Sequence, residues 1–257
     1  MMLTVFLLMH VIFCSHIMGI PIPGEVEPKD ERIVGGKSLS IKQVPFIISL
    51  QNLGMHMCGG SIINENTIIT AAHCTNGKQP IQLEVRAGST IREKGGQVLQ
   101  VETIHQNPEF NLNTIDYDVT ILKLKSNLNF SENVKPIDLA DANQVFENGK
   151  QAMIFGWGTK NYGSSRLPSE LQSGVIQIVD RKICRKRYSK DQITDRMLCA
   201  GIEQGGIDAC QGDSGGPLVI DNVLAGITSW GSACGKPHIP GVYSNVAGLR
   251  KYIDKFL

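Results

Sequence analysis

Three side chains of this chain, His73, Asp118 and Ser214, are of the types that together carry out nucleophilic catalysis. A serine hydroxyl is a weak nucleophile at neutral pH, so it needs a base within hydrogen-bonding distance and a third group that fixes the tautomer of that base. Glycines flank the serine in the segment Gly212–Pro217, whose sequence is GDSGGP, and leave room for a substrate carbonyl beside backbone N–H groups. These residues predict acyl transfer, provided that the fold brings them together.

Four short segments, spread in order over most of the chain, carry a resemblance to a known family. They are RIVGG at Arg32–Gly36, TAAHC at Thr70–Cys74, DVTIL at Asp118–Leu122 and GDSGGP at Gly212–Pro217. They resemble the activation site and the three catalytic segments of the chymotrypsin-like serine peptidases, in that family's order of His, Asp and Ser. The resemblance implies an all-β fold of two six-stranded antiparallel β-barrels, with the active site in the cleft between them.

The resemblance also implies a role for each catalytic group. Ser214 would attack the scissile carbonyl, His73 would take its proton and pass it to the leaving amine, and Asp118 would orient the imidazole. The amides of Gly212 and Ser214 would form the oxyanion hole, and Ser229 resembles the serine that hydrogen-bonds the catalytic aspartate. The activity implied is that of a serine endopeptidase that works through an acyl-enzyme.

Asp208, six residues before Ser214, matches the family position at the floor of the primary specificity pocket. A buried carboxylate there selects a cationic side chain, because any other guest leaves it unpaired. The resemblance thus implies cleavage after Arg or Lys. Ala209 stands where many relatives carry a serine that helps to solvate a lysine ammonium, so we expect Arg to be preferred to Lys. The other substrate-binding positions that the resemblance implies are Gln211, Ser229, Trp230, Gly231 and Gly241.

Arg32 and Ile33 mark the predicted activation site. In the family, cleavage after the arginine frees the α-amine of the next residue, which inserts and pairs with the aspartate beside the nucleophile, here Asp213. The resemblance therefore implies an inactive zymogen that becomes active when the bond between Arg32 and Ile33 is cut. Because the enzyme is itself expected to cut after Arg, it could activate its own zymogen, and another protease could equally do so.

The segments around these residues predict mainly β-structure. An alternating apolar and charged pattern runs from Leu83 to Ala87. Four further runs are rich in β-forming residues: 44–50, 119–124, 175–179 and 223–230. A short helical turn is predicted after Asp180. Clear helical spacing is found at the C-terminus alone, where one apolar face contains Leu249, Tyr252, Ile253, Phe256 and Leu257.

The first 32 residues differ in composition from the rest. Residues 1–24 contain no Asp, Glu, Lys or Arg, and Leu3–Phe13 is an apolar run of 11 residues, which is well short of the ~20 that a membrane-spanning helix needs. A membrane anchor is therefore disfavoured, and residues 1–19 are predicted to be a signal peptide. Residues 20–32 hold three prolines and four acidic residues and are predicted to be a flexible propeptide. We expect a secreted, extracellular peptidase domain at 33–257.

The chain has seven cysteines, an odd number for a protein of an oxidising compartment. Removal of the signal peptide would discard Cys14 and leave an even set of six. Their spacing alone leaves the pairing open. The resemblance implies three bridges, a set that looks most like that of arthropod digestive trypsins: Cys58–Cys74, Cys184–Cys199 and Cys210–Cys234.

Composition and the remaining motifs argue against several function classes. The chain is 42% hydrophobic and 19% charged with a net charge of +1, which disfavours a disordered chain and a dedicated nucleic-acid binder.

The loop 89–97, where calcium-binding relatives place several glutamates, offers one acid, Glu93, so we expect no calcium, no other metal and no cofactor. Six cations between Arg181 and Lys190 indicate either a solvated face or a polyanion-binding exosite. Asn129 begins the single glycosylation sequon, whose occupancy the sequence leaves open.

Two classes of function remain. The first is an active trypsin-like endopeptidase, a monomer without stable membrane association, which acts on protein and peptide substrates with Arg or Lys at the cleavage site and which protein protease inhibitors could block. Its role could be broad and digestive, which the short loops favour, or narrow and regulatory. The second is a catalytically silent relative that serves as a binding protein. The retained catalytic, pocket and activation residues favour the enzyme.

Overall fold

The computed structural model describes Ile33, residues 35–189 and residues 192–257. The predicted signal peptide at 1–19 and the predicted propeptide at 20–32, with Cys14 and Arg32, lie outside the described residues. Strands make up most of the regular structure in the described ranges. No helix in this part of the chain is long and apolar enough to cross a membrane.

The regular elements are short and follow one another closely along the chain. In order, the strands are β1 Lys37–Ser38, β2 Ile47–Asn52, β3 Met55–Asn64, β4 Thr67–Thr70, β5 Leu83–Ala87, β6 Gln97–Gln106, β7 Thr120–Leu124, β8 Asp138–Leu139, β9 Gln151–Gly156, β10 Gln172–Val179, β11 Met197–Gly201, β12 Pro217–Ile220, β13 Val223–Trp230 and β14 Gly241–Asn245. The α-helices are α1 Ala72–Thr75, α2 Arg181–Arg187 and α3 Val246–Ile253. Single 3-10 turns cover Ile41–Gln43, Pro80–Gln82 and Asp254–Phe256.

Six strands close into a first antiparallel barrel in the order β2-β3-β4-β7-β6-β5. The alternation predicted for 83–87 is confirmed in β5, where Leu83, Val85 and Ala87 are buried and the residues between them are half-exposed. A two-residue hairpin, Leu53–Gly54, joins β2 to β3, and both of its residues have positive φ, as the twist of a type I′ turn requires.

The second barrel is built from the C-terminal half of the chain. Its ring runs β9-β10-β11-β14-β13-β12 and closes because β9 pairs with both β10 and β12. Two short strands extend this sheet, β1 beside β10 and β8 beside β13. The predicted β-runs at 175–179 and 223–230 lie in β10 and β13. The predicted fold class, two six-stranded antiparallel barrels with a C-terminal helix, is confirmed.

Both predicted helical segments form. Asp180 caps α2, because its side chain accepts the N–H of Lys182 at 2.7 Å. In α3, Leu249 and Ile253 are buried against the core as predicted. The expectation for Leu257 is wrong, since this residue is 56% exposed. The chain tightens into the 3-10 turn after α3, and the change of period rotates the last residue off the apolar face.

One disulfide links two elements of the first barrel, and two disulfides link elements of the second barrel. They are the bridges that the resemblance implied: Cys58–Cys74, Cys184–Cys199 and Cys210–Cys234. The first ties β3 to α1, and the third ties the segment before β12 to the segment after β13. The bridged cysteines are 16, 15 and 24 residues apart, and in the chain-entropy account each such bridge contributes about 3 kcal/mol. The first and third bridges thus stabilise the segments that contain His73 and Ser214.

Candidate active site

The imidazole of His73 and the carboxylate of Asp118 face each other on the first barrel. His73 lies in α1 just after β4, and Asp118 lies just before β7, the neighbour of β4 in the ring. Oδ2 of Asp118 is 2.8 Å from Nδ1 of His73, and Oδ1 accepts the backbone N–H of His73 at 2.8 Å. Because a carboxylate oxygen accepts, Nδ1 carries the proton, and Nε2 is left as the acceptor that a base needs.

The second barrel holds Asp118 from the other side. Ser229 Oγ donates to Oδ2 of Asp118 at 2.5 Å, and Ser244 Oγ donates to its backbone carbonyl at 2.7 Å. Asp118 is 1% exposed. The carboxylate is therefore fixed by donors from both barrels, and the contact predicted for Ser229 is present in the structure.

Ser214 lies in a tight turn just before β12. Gly212 and Gly215 have φ of +98° and +77°, a region that residues with a side chain rarely adopt. A Cβ on Gly215 would lie 2.2 Å from Oγ1 of Thr70, so glycine is the residue that lets this turn approach the first barrel. In the described part of the chain no hydrogen bond joins Ser214 Oγ to His73 Nε2, a bond that is often long in unliganded sites.

Two backbone N–H groups in this turn are candidates for an oxyanion hole. The amides of Gly212 and Ser214 have no acceptor among the residues that the structure describes. The Gly212 carbonyl accepts Nε2–H of His56 at 3.0 Å, and Nδ1 of His56 accepts the Ser49 hydroxyl at 2.8 Å. Burial lowers the pKa of His56 to about 4, so the ring is neutral and its tautomer is set by these two bonds. The sequence analysis missed His56, because it belongs to no recognised motif.

A cavity of about 200 Å³ opens beside Ser214, and Asp208 lines it. Asp208 is 3% exposed, and its two oxygens accept the N–H groups of Ala209 at 2.9 Å and Gly235 at 3.0 Å. Burial, with a smaller contribution from the nearby charge of Asp213, raises the pKa of Asp208 to about 7. The remaining predicted substrate-binding residues line the same cavity: Ala209, Gln211, Ser229, Trp230, Gly231 and Gly241.

The two pocket glycines are not equivalent. A Cβ on Gly241 would lie 3.0 Å from Oδ1 of Asp208, whereas a Cβ on Gly231 would meet nothing closer than 3.9 Å. A side chain at Gly241 would therefore crowd the carboxylate, and one at Gly231 would only narrow the cavity. The sequence analysis missed Tyr188. Its ring packs edge-on against Trp230, which lines the cavity, with the ring centroids 5.0 Å apart, and this contact supports the cavity wall.

Asp213 is buried beside the nucleophile. Its two oxygens accept the N–H groups of Gly158 at 2.7 Å and Cys210 at 2.9 Å. A Cβ on Gly158 would lie 2.3 Å from Oδ2, so only glycine fits there. Burial raises the pKa of Asp213 to about 6, which means that a cation brought to this carboxylate would stabilise its charged form. Ile33 is fully buried in the core of the second barrel.

The basic run on α2 is partly paired with acidic neighbours. Three arginines form ion pairs: Arg181 and Arg185 with Asp195, and Arg187 with Glu203. Lys182 and Lys186 are exposed, and Lys190 lies outside the described residues. These pairs favour a solvated face over a polyanion-binding exosite.

Two further features bear on metals and modification. Oε1 of Glu93, the one acid of the loop 89–97, accepts the N–H of His56 at 3.0 Å and also pairs with Arg92. Among the described residues, the grouping of metal-ligating side chain types is Cys58, His73 and Cys74, and both sulfurs are in a disulfide. Oxidised sulfurs are not the thiolates that bind metals, so this grouping is not a metal site. Asn129 of the sequon is exposed.

Known proteins resemble this chain over almost its full length. The family described as Trypsin matches residues 33–253. Trypsin alpha of Drosophila melanogaster is 43% identical over 256 residues, which are 98% of this chain and 97% of that protein. The vitellin-degrading protease of Bombyx mori is 37% identical over 246 residues, which are 95% and 93% of the two chains.

A solved structure agrees with these sequence matches. Neuropsin, a serine protease of mouse brain, has a TM-score of 0.79 at 35% identity, over 86% of this chain and 97% of its own. The insect trypsins confirm the resemblance to arthropod members of the family. The fold, the paired His73 and Asp118, and these matches agree, and the chain therefore belongs to the trypsin family of serine proteases, which are hydrolases.

Proposed function

We propose that this protein is a secreted trypsin-like endopeptidase, made as a zymogen, that cleaves peptide bonds after Arg in preference to Lys. The observation that carries the proposal is the buried carboxylate of Asp208 in a cavity that opens beside Ser214. A carboxylate that has lost its water gains most from a guest that brings a positive charge. If a long basic side chain of the substrate occupied this cavity, the peptide bond that follows that residue would lie beside Ser214.

The geometry supports an acyl-enzyme mechanism. In this proposal Ser214 attacks the scissile carbonyl, while Nε2 of His73 takes the hydroxyl proton and later passes it to the leaving amine. Asp118 holds the Nδ1 proton and stabilises the imidazolium that forms. The N–H groups of Gly212 and Ser214 donate to the oxyanion, and His56 fixes the Gly212 carbonyl so that the turn keeps its shape. Water then hydrolyses the acyl-enzyme by the same route.

Activation would proceed in two cleavages. Removal of the signal peptide, residues 1–19, leaves a propeptide at 20–32, and cleavage after Arg32 then frees the α-amine of Ile33. Burial raises the pKa of the Asp213 carboxylate to about 6. The positively charged amine of Ile33 would pair with this carboxylate and stabilise its ionised form. The pairing would order the pocket and the oxyanion hole. Whether the enzyme cuts its own Arg32 or another protease does so stays an open alternative.

The relatives favour a digestive or broadly degradative role. One relative is named as a trypsin, and the name of another, the vitellin-degrading protease, describes the degradation of a protein in that insect. A narrow regulatory protease remains the second candidate. A silent binding protein is less well supported, because the structure retains the contact between His73 and Asp118 and the buried Asp208. Protein substrates with Arg or Lys, and protein inhibitors that present such a residue, are the partners we propose for this monomer.

The proposal predicts a clear order of substrates. The zymogen is cut with an immobilised arginine-specific protease, the protease is removed, and the new Ile33 terminus is verified by sequencing. Peptide amides that differ only in Arg, Lys or Phe before the scissile bond are then compared by kcat/KM. Arg is expected to exceed Lys by about tenfold, because Ala209 offers no hydroxyl to solvate an ammonium, and Phe is expected to be the poorest.

The matched variant for this comparison is Ala209→Ser. It restores a hydroxyl beside Asp208 and is expected to raise kcat/KM for Lys by about tenfold while leaving Arg nearly unchanged. Equal rates with Arg and Lys in the wild-type enzyme would contradict the argument from Ala209. No turnover of Arg substrates by the verified Ile33 form would end the endopeptidase proposal.

The affinity for a cationic guest is expected to depend on pH. The pKa of Asp208 is raised to about 7 in the free enzyme, and a guest cation pairs with the ionised carboxylate. The dissociation constant of benzamidine should therefore rise about tenfold for each pH unit below 7 and level out above it. Calorimetry on the cleaved Ser214→Ala enzyme measures this without autolysis. A constant affinity between pH 5 and pH 8 would rule out control by Asp208.

A further inference from the structure

Asp116 makes a contact between the two barrels that lies outside the site described above. It precedes β7 in the first barrel, and it is only 8% exposed. Its Oδ1 accepts Oγ1–H of Thr194 at 2.9 Å and Nε–H of Arg196 at 3.3 Å, and its Oδ2 accepts an Nη2–H of the same arginine. Thr194 and Arg196 precede β11 of the second barrel. A guanidinium that binds both oxygens of a carboxylate fixes its position and its orientation.

The backbone on both sides of Asp116 is strained. Ile115 has φ of +52° and Tyr117 has φ of +56°, a region that β-branched and bulky residues adopt only when the surrounding structure holds them there. Arg196 supplies part of that hold, since its Cζ lies 4.6 Å from the centroid of the Tyr117 ring. One arginine of the second barrel thus contacts both residues that precede Asp118.

Two further hydrogen bonds hold the chain at Asp118, one between its two neighbours and one from the second barrel. The N–H of Val119 donates to the Tyr117 carbonyl at 2.8 Å, so the chain turns tightly around Asp118. Ser244 of the second barrel donates its Oγ–H to the Asp118 carbonyl at 2.7 Å. The second barrel, which also carries Ser214, therefore holds the side chains of Asp116 and Tyr117 and the main-chain carbonyl of Asp118.

The guanidinium of Arg196 donates to both oxygens of the Asp116 carboxylate, a contact called here the fork. We propose that the fork has a positioning role: it holds the strained segment so that Asp118 stays aligned with His73. Arg196 is absent from the lining of the cavity beside Ser214, and it acts through Asp116 and Tyr117 on Asp118. The inference rests on the proposed function, because it assigns the role of the fork through the catalytic aspartate. Loss of the fork should weaken the chemical step and leave substrate binding nearly intact.

The test compares two arginines that each form one ion pair. Arg196→Gln removes the fork. Arg250→Gln removes the 2.6 Å pair between Arg250 of α3 and Asp254 of the following 3-10 turn, together with the hydrogen bond from Arg250 to the Ala140 carbonyl. We expect Arg196→Gln to lower kcat for an arginyl amide by 10- to 100-fold with KM within about threefold of wild type. Arg196→Lys, which keeps the charge but loses the fork, should recover only part of kcat. Arg250→Gln should be unchanged.

The design separates positioning from folding and from the proposed function. Active-site titration normalises each kcat to competent enzyme, and thermal melts show that the variants are folded at the assay temperature. Equal losses in Arg196→Gln and Arg250→Gln, full recovery in Arg196→Lys, or a rise in KM with kcat unchanged would overturn the inference. If the wild type hydrolysed no peptide, the proposed function would fail. The fork would then be judged by whether Arg196→Gln slows phosphorylation of Ser214 by diisopropyl fluorophosphate, which releases fluoride.

Discussion

The Ser214→Ala variant, cut after Arg32, is expected to hydrolyse arginyl peptides about 10⁵- to 10⁶-fold more slowly than the wild-type enzyme. Without Oγ no acyl-enzyme forms, and His73 has no hydroxyl to deprotonate. Alanine keeps the backbone of the turn, so the N–H groups of Gly212 and residue 214 still polarise a bound carbonyl and leave a small residual rate. The measurement is kcat at saturating substrate, with the Ile33 terminus verified in both proteins.

A second serine provides the matched control for this loss. Ser126 is exposed just after β7, and Ser126→Ala should retain wild-type kcat. Benzamidine should bind Ser214→Ala as tightly as wild type, because Asp208 and the cavity are unaltered. A Ser214→Ala enzyme that kept more than about 1% of wild-type kcat would show that another group is the nucleophile.

Replacement of Asp208 by serine is expected to lower kcat/KM for arginyl peptides by about 10²- to 10⁴-fold, because the guest cation would be buried without a partner. Peptides with Phe before the scissile bond have no charge to leave unpaired, so their kcat/KM should be unchanged or higher. The preference for basic residues should therefore disappear. The two values of kcat/KM, measured on the same preparation, check this result.

An exposed aspartate serves as the control for Asp208. Asp221 pairs with Lys150 on the surface, and Asp221→Ser should leave both values of kcat/KM unchanged. Phosphorylation of Ser214 by diisopropyl fluorophosphate needs no basic guest, so Asp208→Ser should react at the wild-type rate. A variant that still preferred Arg to Phe would show that a different group selects the cation.

The sequence predicted those parts of the site that rest on local patterns. Short segments with recognisable sequences contain His73, Asp118 and Ser214. Local steric requirements determine the residues next to them: Gly215, for example, has φ of +77° and lies against the first barrel. The β-strands were predictable because apolar residues alternate where one face is buried, as in β5. The family resemblance then supplied the ring closure, which no local pattern contains.

The sequence did not predict contacts between residues far apart in the chain. His56 lies 156 residues from Gly212, whose carbonyl it binds, and Asp116 lies 80 residues from Arg196. Each of these side chains is polar in a segment without a motif, so nothing local marks it as buried. The ion pairs of α2 could not be predicted from the sequence for a similar reason. Its count of cations is local, but the neutralising Asp195 and Glu203 come from other loops.

Because each ring strand pairs with a neighbour on both sides, the barrels present few unpaired backbone groups to which a foreign strand could add. The outer strand β1 is two residues long and begins with Lys37, and short charged edges resist pairing with another chain. An enzyme that releases extended peptides is surrounded by chains whose unpaired backbone N–H and C=O groups could bind to an open sheet edge. Closure of its sheets therefore leaves few backbone sites at which such peptides could begin cross-β pairing with this protein.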